Sequence, residues 1–143
     1  MTTVAQLLEQ KGHAVEVIAP DATVYDAIKR MADLDIGALV VTEGGKVLGI
    51  ITERDYARNV FLRGKSSPTT PVHEAMERDV LFVGLKDTTR DCMAIVIGKR
   101  TRHLLVMENQ ELLGILSIGD LVRSIVAEQE MTIEQLEQYI HRG

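Results

Sequence analysis

The sequence writes one phrase twice, "GIITERD" over residues 49–55 and "GILSIGD" over 114–120. Gly49 and Gly114 stand 65 positions apart, and the same step carries Val15 to Val80, Thr23 to Thr88, Asp26 to Asp91, Leu39 to Leu104, Val41 to Val106, Leu48 to Leu113, Asp55 to Asp120 and Arg58 to Arg123. No gap is needed between Val15 and Val60. An ungapped internal match of this length means two structural copies in tandem. Each copy is too small to bury much core alone, and two copies packed face to face would solve that.

Both copies read alike. In the first, "VEVIAPDAT" is a short strand ended by the Pro20-Asp21 turn. A helix follows over "TVYDAIKRMADL", with Val24, Ala27, Ile28, Met31 and Leu34 at helical spacing and Thr23 and Asp26 placed to cap it. "ALVVT", "EGGK" and "VLGII" form a β-hairpin, and a second helix starts at Thr52 and ends near Gly64. The second copy repeats this order with "VLFVG", "TTRDCMAIVIGK", "HLLVM", "ENQE", "LLGIL" and "IGDLVRSIVAEQ". A short helix leads each copy, "TVAQLLEQKG" and "PVHEAMERD". The expected fold is α+β, each copy β-α-β-β-α. The boundaries are 1–64 for the first copy, 65–71 for a polar linker, 72–130 for the second copy and 131–143 for a C-terminal helical extension.

Composition narrows the function. Of the 143 residues 45% are hydrophobic and 26% charged, as in a soluble globular protein. Aromatics at 3% and a net charge of −5 argue against nucleic-acid binding, because base stacking and phosphate attraction are both lacking. No membrane span and no secretory leader is read, so the expected address is cytoplasmic. Cys92 is the sole cysteine and matches Ala27 of the first copy, a small inward position. His73-Glu74 opens like a zinc-protease helix, but Glu77 stands where the second His is needed. Met31, Met76, Met93 and Met107 read as core, His13 and His141 as surface. With no nucleophile arrangement, metal-ligand spacing or Walker loop, the chain is expected not to be an enzyme.

On "VIAPDATVYDAIKRM", "GALVV…GGKVLGIITERD", "TPVHEAM" and "RHLLVMENQELLGILSIGD", the chain resembles the cystathionine-β-synthase-type (CBS) domain pair, or Bateman module, over nearly its whole length. The resemblance implies a pseudo-twofold pair with two clefts that bind adenosine ligands: AMP, ADP or ATP, and in some members NAD or S-adenosylmethionine. It also implies signalling to a regulated partner protein.

The repeated phrase has a plain reading: Thr52 with Asp55, and Ser117 with Asp120, are close to capping boxes. The ligand reading is compatible with it. A helix start offers free N–H groups and a positive dipole end to a phosphate, and an ionised Asp can accept both ribose hydroxyls. Gly49 and Gly114 would let a ring approach the backbone. By the resemblance, the stretch before each copy's second strand meets the adenine edge and the phosphates. In the second copy that stretch holds Thr101, Arg102 and His103; in the first, Ile36, Gly37 and Ala38, with no basic residue. The clefts are therefore expected to be unequal. Thr52, Arg54 and Asp55 would share a site with Arg102 and His103, with Ile50 and Leu81 against the base. Ser117 and Asp120, with Ile115 in the place of Ile50, would pair with Ile36, Gly37, Ala38 and the Ala14–Glu16 edge. Gly119 stands where the first copy has Arg54, which weighs against a triphosphate there. A homodimer is expected too: Tyr56, Val60, Phe61 and Leu62, and Leu121, Val122, Ile125 and Val126, are more apolar surface than one sheet needs. The alternative is a structural or interaction module with empty clefts.

Overall fold

A computed structural model describes residues 1–142; Gly143, the end of the expected extension, lies outside them. In chain order the elements are α1 (Val4–Lys11), β1 (Val17–Ile18), α2 (Val24–Leu34), β2 (Ala38–Glu43), β3 (Lys46–Thr52) and α3 (Glu53–Tyr56). A π-helical segment (Ala57–Phe61) then leads to α4 (Val72–Ala75), β4 (Phe82–Val83), α5 (Thr89–Lys99), β5 (His103–Glu108), β6 (Glu111–Ser117) and α6 (Ile118–Arg142). The fold is the expected mixed α and β architecture, with two three-stranded sheets among the described residues.

The internal repeat extends down to hydrogen-bond register. The first sheet runs β1-β2-β3, with β1 and β2 parallel and β2 and β3 antiparallel. Leu39 faces Ile51 and Val40 faces Ile50, and the ladder slips between Val41 and Thr42. The second sheet, β4-β5-β6, sets Leu104 opposite Leu116 and Leu105 opposite Ile115, and slips between Val106 and Met107. The hairpin turns need two left-handed residues each. Gly44 (φ 58°) and Gly45 (φ 80°) supply them in the first copy, but Asn109 (φ 51°) and Gln110 (φ 65°) must do so in the second.

Packing divides the chain differently from the repeat. One compact unit is Val15–Val80; the other joins Met1–Ala14 to the stretch from Leu81 onward. Each leading helix thus packs with the copy it does not precede. The backbone shows why. Val4 N–H donates to Asp87 C=O (2.8 Å) and Ala5 N–H to Leu85 C=O (3.1 Å), which ties α1 to the approach to α5. Val72 N–H donates to Ala22 C=O (2.8 Å) and His73 N–H to Pro20 C=O (3.0 Å), which ties α4 to the approach to α2. The cores follow the same exchange. Val4, Leu7 and Leu8 pack with Val83, Cys92, Val96, Leu104, Val106, Leu116 and Leu121. Val72, Ala75 and Met76 pack with Ile18, Val24, Ala27, Met31, Leu39, Val41, Ile51 and Val60.

Several elements depart from the periodicity. β1 and β4 are only two residues long, shorter than the strands expected from the sequence. Leu34, expected inward, is 46% exposed at the end of α2. The helix after Thr52 keeps α geometry for four residues and then widens, with Leu62 N–H reaching Ala57 C=O. That widening seats Val60 in the core and leaves Phe61 and Leu62 67% and 73% exposed. In α6, Leu121 is buried while Val122 and Val126 face outward. About half of the expected apolar excess therefore serves each unit's own core.

Candidate functional site

Each repeated phrase sits where a hairpin's last strand turns into a helix. At the end of β3, Thr52 is extended and its hydroxyl accepts the Asp55 N–H (3.1 Å). Asp55 Oδ2 accepts the Thr52 N–H (2.9 Å) and the Thr52 hydroxyl proton (3.0 Å). At the end of β6, Ser117 Oγ accepts the Asp120 N–H (3.1 Å), and Asp120 Oδ2 accepts the Ser117 N–H (2.8 Å). Both phrases therefore do cap their helices. A cap uses one carboxylate oxygen and leaves the other to its surroundings, and there the two copies part.

Asp55 forms no ion pair among the described residues, and its Oδ1 has no hydrogen bond; the charge of the adjacent Arg54 acts on it only at longer range. Burial pushes its carboxyl above the ordinary value, against the Thr52 hydrogen bonds, and the negative Glu77 adds to the rise. Arg54, next to it, is exposed and has no ion pair among the described residues. Asp120 is held by two cations, with Lys11 Nζ at 2.6 Å from Oδ2 and Arg123 at 2.8 Å from Oδ1. Burial alone would raise the Asp120 carboxyl. The Lys11 hydrogen bond and charge, with the Ser117 N–H, outweigh that and hold it below the ordinary value.

The other expected residues fall around these two junctions within their own units. Ala38 lies opposite Thr52 in the ladder, and the Gly37 carbonyl accepts the Glu53 N–H (3.2 Å). Ile36 N–H donates to Met31 C=O at the end of α2. Ile50 is engaged through its backbone, exchanging hydrogen bonds with Glu77 at 2.9 and 2.8 Å. Glu16 receives Arg30 (2.8 Å) on its side chain and Val40 N–H on its carbonyl, and Ala14 is exposed at the unit boundary. In the other unit His103 lies opposite Ser117, the Arg102 carbonyl accepts the Ile118 N–H (2.9 Å), and the Thr101 hydroxyl donates to His103 C=O. Leu81 is half-buried against the second core. Burial and the charges of Lys11 and Arg102 lower the His103 pKa, against the pull of Asp120, so the ring favours its neutral form.

One expectation needs correcting. Gly49 and Gly114 do not leave room for a ring. A Cβ on Gly49 would stand 2.4 Å from the Glu77 carbonyl oxygen, and one on Gly114 would stand 2.7 Å from Leu8 Cδ2. The missing side chains admit the chain's own backbone at Glu77, just after α4, and the Leu8 side chain of α1. The helix that Thr52 starts runs from α3 through the π-helical segment to Phe61, so the dipole argument keeps its basis at Asp55, and Arg54 adds a local positive charge. Sequence reasoning missed Lys11 and Arg123. Arg123 had a signal, three residues after Asp120 on one helix. Lys11 had none within its own copy, since α1 precedes the other one. Cys92 is buried in the core, and burial with the nearby Asp87 and Asp91 pushes its thiol up to about 11, which keeps it protonated and non-nucleophilic near neutral pH.

Comparison with known proteins agrees with this architecture. The family model described as "CBS domain" matches twice, over residues 4–61 and 68–127. The CBS domain-containing protein CBSX3 of Arabidopsis thaliana, mitochondrial by name, is 34% identical over 99% of this chain and 73% of its own length. A solved structure from Burkholderia ambifaria, described as a candidate signal-transduction protein with CBS domains, is 46% identical with a TM-score of 0.86. It covers 90% of this chain and 96% of that one. A CBS-domain containing protein from Agrobacterium tumefaciens is 41% identical, TM-score 0.82, over 86% of this chain and 98% of its own.

Proposed function

We propose a function from the fact that this chain belongs to the CBS domain family: it is a regulatory module that binds an adenosine nucleotide and passes the bound state to a partner protein. The ligand class is AMP, ADP or ATP, with NAD in the same adenosine class. One observation carries the reading. The Thr52–Asp55 junction holds a carboxylate whose Oδ1 has no hydrogen bond and which forms no ion pair among the described residues. An unpaired, partly buried carboxylate is costly, and two ribose hydroxyls are the donors that would satisfy it. Arg54 beside it suits the phosphates.

The output would be a population shift, with the ligand favouring one arrangement of the fold and the partner reading it. A homodimer belongs to this reading. Phe61, Leu62, Val122 and Val126 are apolar and exposed, and a second copy would cover them. The proposed setting is the cytoplasm. Among the described residues no helix is long and apolar enough to cross a membrane.

Thermal melting with AMP, ADP, ATP and NAD tests the proposal. A ligand that binds only the folded state at a hundred times its Kd adds about 2.7 kcal/mol, so at least one must raise the midpoint. A flat response to all four leaves the chain as an interaction module with empty clefts.

A further inference from the structure

The two carboxylates of the repeated phrase are not equivalent, and the difference comes from one residue outside the phrase. Lys11 closes α1. That helix is anchored along its length: Thr3 caps it, Leu7 and Leu8 are core residues, and the Gly12 N–H closes on Leu8 C=O (2.7 Å). From this base the Lys11 ammonium donates to the Ile115 carbonyl and to Asp120 Oδ2. Asp120 Oδ2 also accepts the Ser117 N–H, and Arg123 takes Oδ1. A carboxylate offers about four lone-pair positions, so three donors, two of them cationic, leave little for further hydroxyls. With Leu7, Gln10, Arg123 and Ser124, Lys11 and Asp120 line a depression of about 270 Å³. The lysine and the carboxylate it holds thus face the same open space, and the lysine occupies acceptors that the space would otherwise reach.

The other copy has no such residue. Val4, Leu7 and Leu8 of α1 correspond to Val72, Ala75 and Met76 of the α4 segment, as their parallel core positions show. In that alignment Lys11 corresponds to Asp79, which is an anion. The Ile50 carbonyl, which matches Ile115, is met by the Glu77 backbone N–H instead of by a side-chain cation.

We propose that Lys11 is a built-in occupant of the Asp120 position, supplying the donors that a ribose would supply, and that nucleoside binding by this chain is confined to Asp55. The inference rests on the nucleotide-binding function proposed above. Displacing a charged hydrogen bond from Asp120 weakens a ribose there on the order of ten- to a hundredfold, enough to leave the position empty when Asp55 is filled.

Calorimetric titration with AMP reads this as a stoichiometry. The wild-type chain should bind one AMP. Lys11→Met, which keeps the aliphatic stem and removes the charge, should bind two. Asp55→Asn should bind none at the same concentrations, and the double variant Lys11→Met/Asp55→Asn should bind one. Two AMP per wild-type chain overturns the proposal without any substitution, so it stays testable even if Lys11→Met fails to fold. One AMP in a folded Lys11→Met chain overturns it as well. No binding in any of the four proteins overturns the underlying nucleotide function and this inference with it.

Discussion

Replacing the two repeated glycines by alanine should separate packing from ligand approach. At Gly49 the new Cβ would lie 2.4 Å from the Glu77 carbonyl oxygen, 3.1 Å from Met76 Sδ and 3.3 Å from the Glu77 carbonyl carbon. The first neighbour is backbone, so relief requires moving the chain at Glu77 by roughly 1 Å, since ordinary contact begins near 3.4 Å. That motion breaks the paired Ile50–Glu77 hydrogen bonds of 2.9 and 2.8 Å. Two bonds at about 1 kcal/mol each, with about 1 kcal/mol or more of overpacking, give a loss of about 3 kcal/mol. For a chain of this size that is a fall of roughly 6–12 °C in Tm. At Gly114 the Cβ would stand 2.7 Å from Leu8 Cδ2, the end of a side chain that can turn. The expected loss there is about 1–2 kcal/mol. Urea unfolding of Gly49→Ala and Gly114→Ala measures both. A Gly49→Ala chain as stable as wild type but impaired in AMP binding would refute the packing role and restore the ring-approach reading.

Three further outcomes follow from the site and the turns. Arg54→Ala should weaken ATP binding more than adenosine binding, and added salt should shrink the difference; equal losses count against a phosphate role for Arg54. The raised Asp55 pKa means that AMP binding, which needs the carboxylate, should fail on acidification at a higher pH than an ordinary aspartate allows. Its protonation favours folding, so the stability it contributes is lost as pH rises through the folded value. Asp120 behaves oppositely: its depressed pKa adds stability above the unfolded value of 3.8, lost as pH falls through the folded one. Acid titrations of Asp55→Asn and Asp120→Asn should therefore differ in sign, and matching shifts would contradict the assignment. Gln110→Gly should stabilise the chain by about 0.5–1 kcal/mol, since Gln110 holds φ 65° in a turn that the first copy builds from two glycines.

Much of the fold could be read from the repeat. Equal spacing of Leu39 and Leu104, and of Gly49 and Gly114, carried over into equal strand register and equal caps, because local hydrogen bonding follows local sequence. The partners of the leading helices could not be read that way. The stripe of Val4, Leu7 and Leu8 says that α1 covers a core but does not name which sheet lies beneath it. The backbone bonds from Val4 and Ala5 to Asp87 and Leu85 decide that, and they are distant in sequence. Lys11 was invisible for the same reason: its contact with Asp120 exists only because α1 packs across the repeat boundary. The π-helical segment after Tyr56 was also hidden, since Val60 and Phe61 fit an α-helical stripe equally well on paper. Thr52, Asp55, Ser117 and Asp120 were legible as pairs, but their unequal charge surroundings were not.

The most direct measurement is AMP titration of the wild-type chain beside Asp55→Asn, with melting curves to show that both are folded. Asn keeps the size of the side chain and removes the charge that two ribose hydroxyls would meet. Loss of charged hydrogen bonds of this kind amounts to about 1.5–3 kcal/mol, so AMP should bind wild type and bind the variant about ten- to a hundredfold more weakly. Equal affinity for the two proteins, or no binding of AMP to wild type, would contradict the assignment of Asp55 as the nucleotide's acceptor.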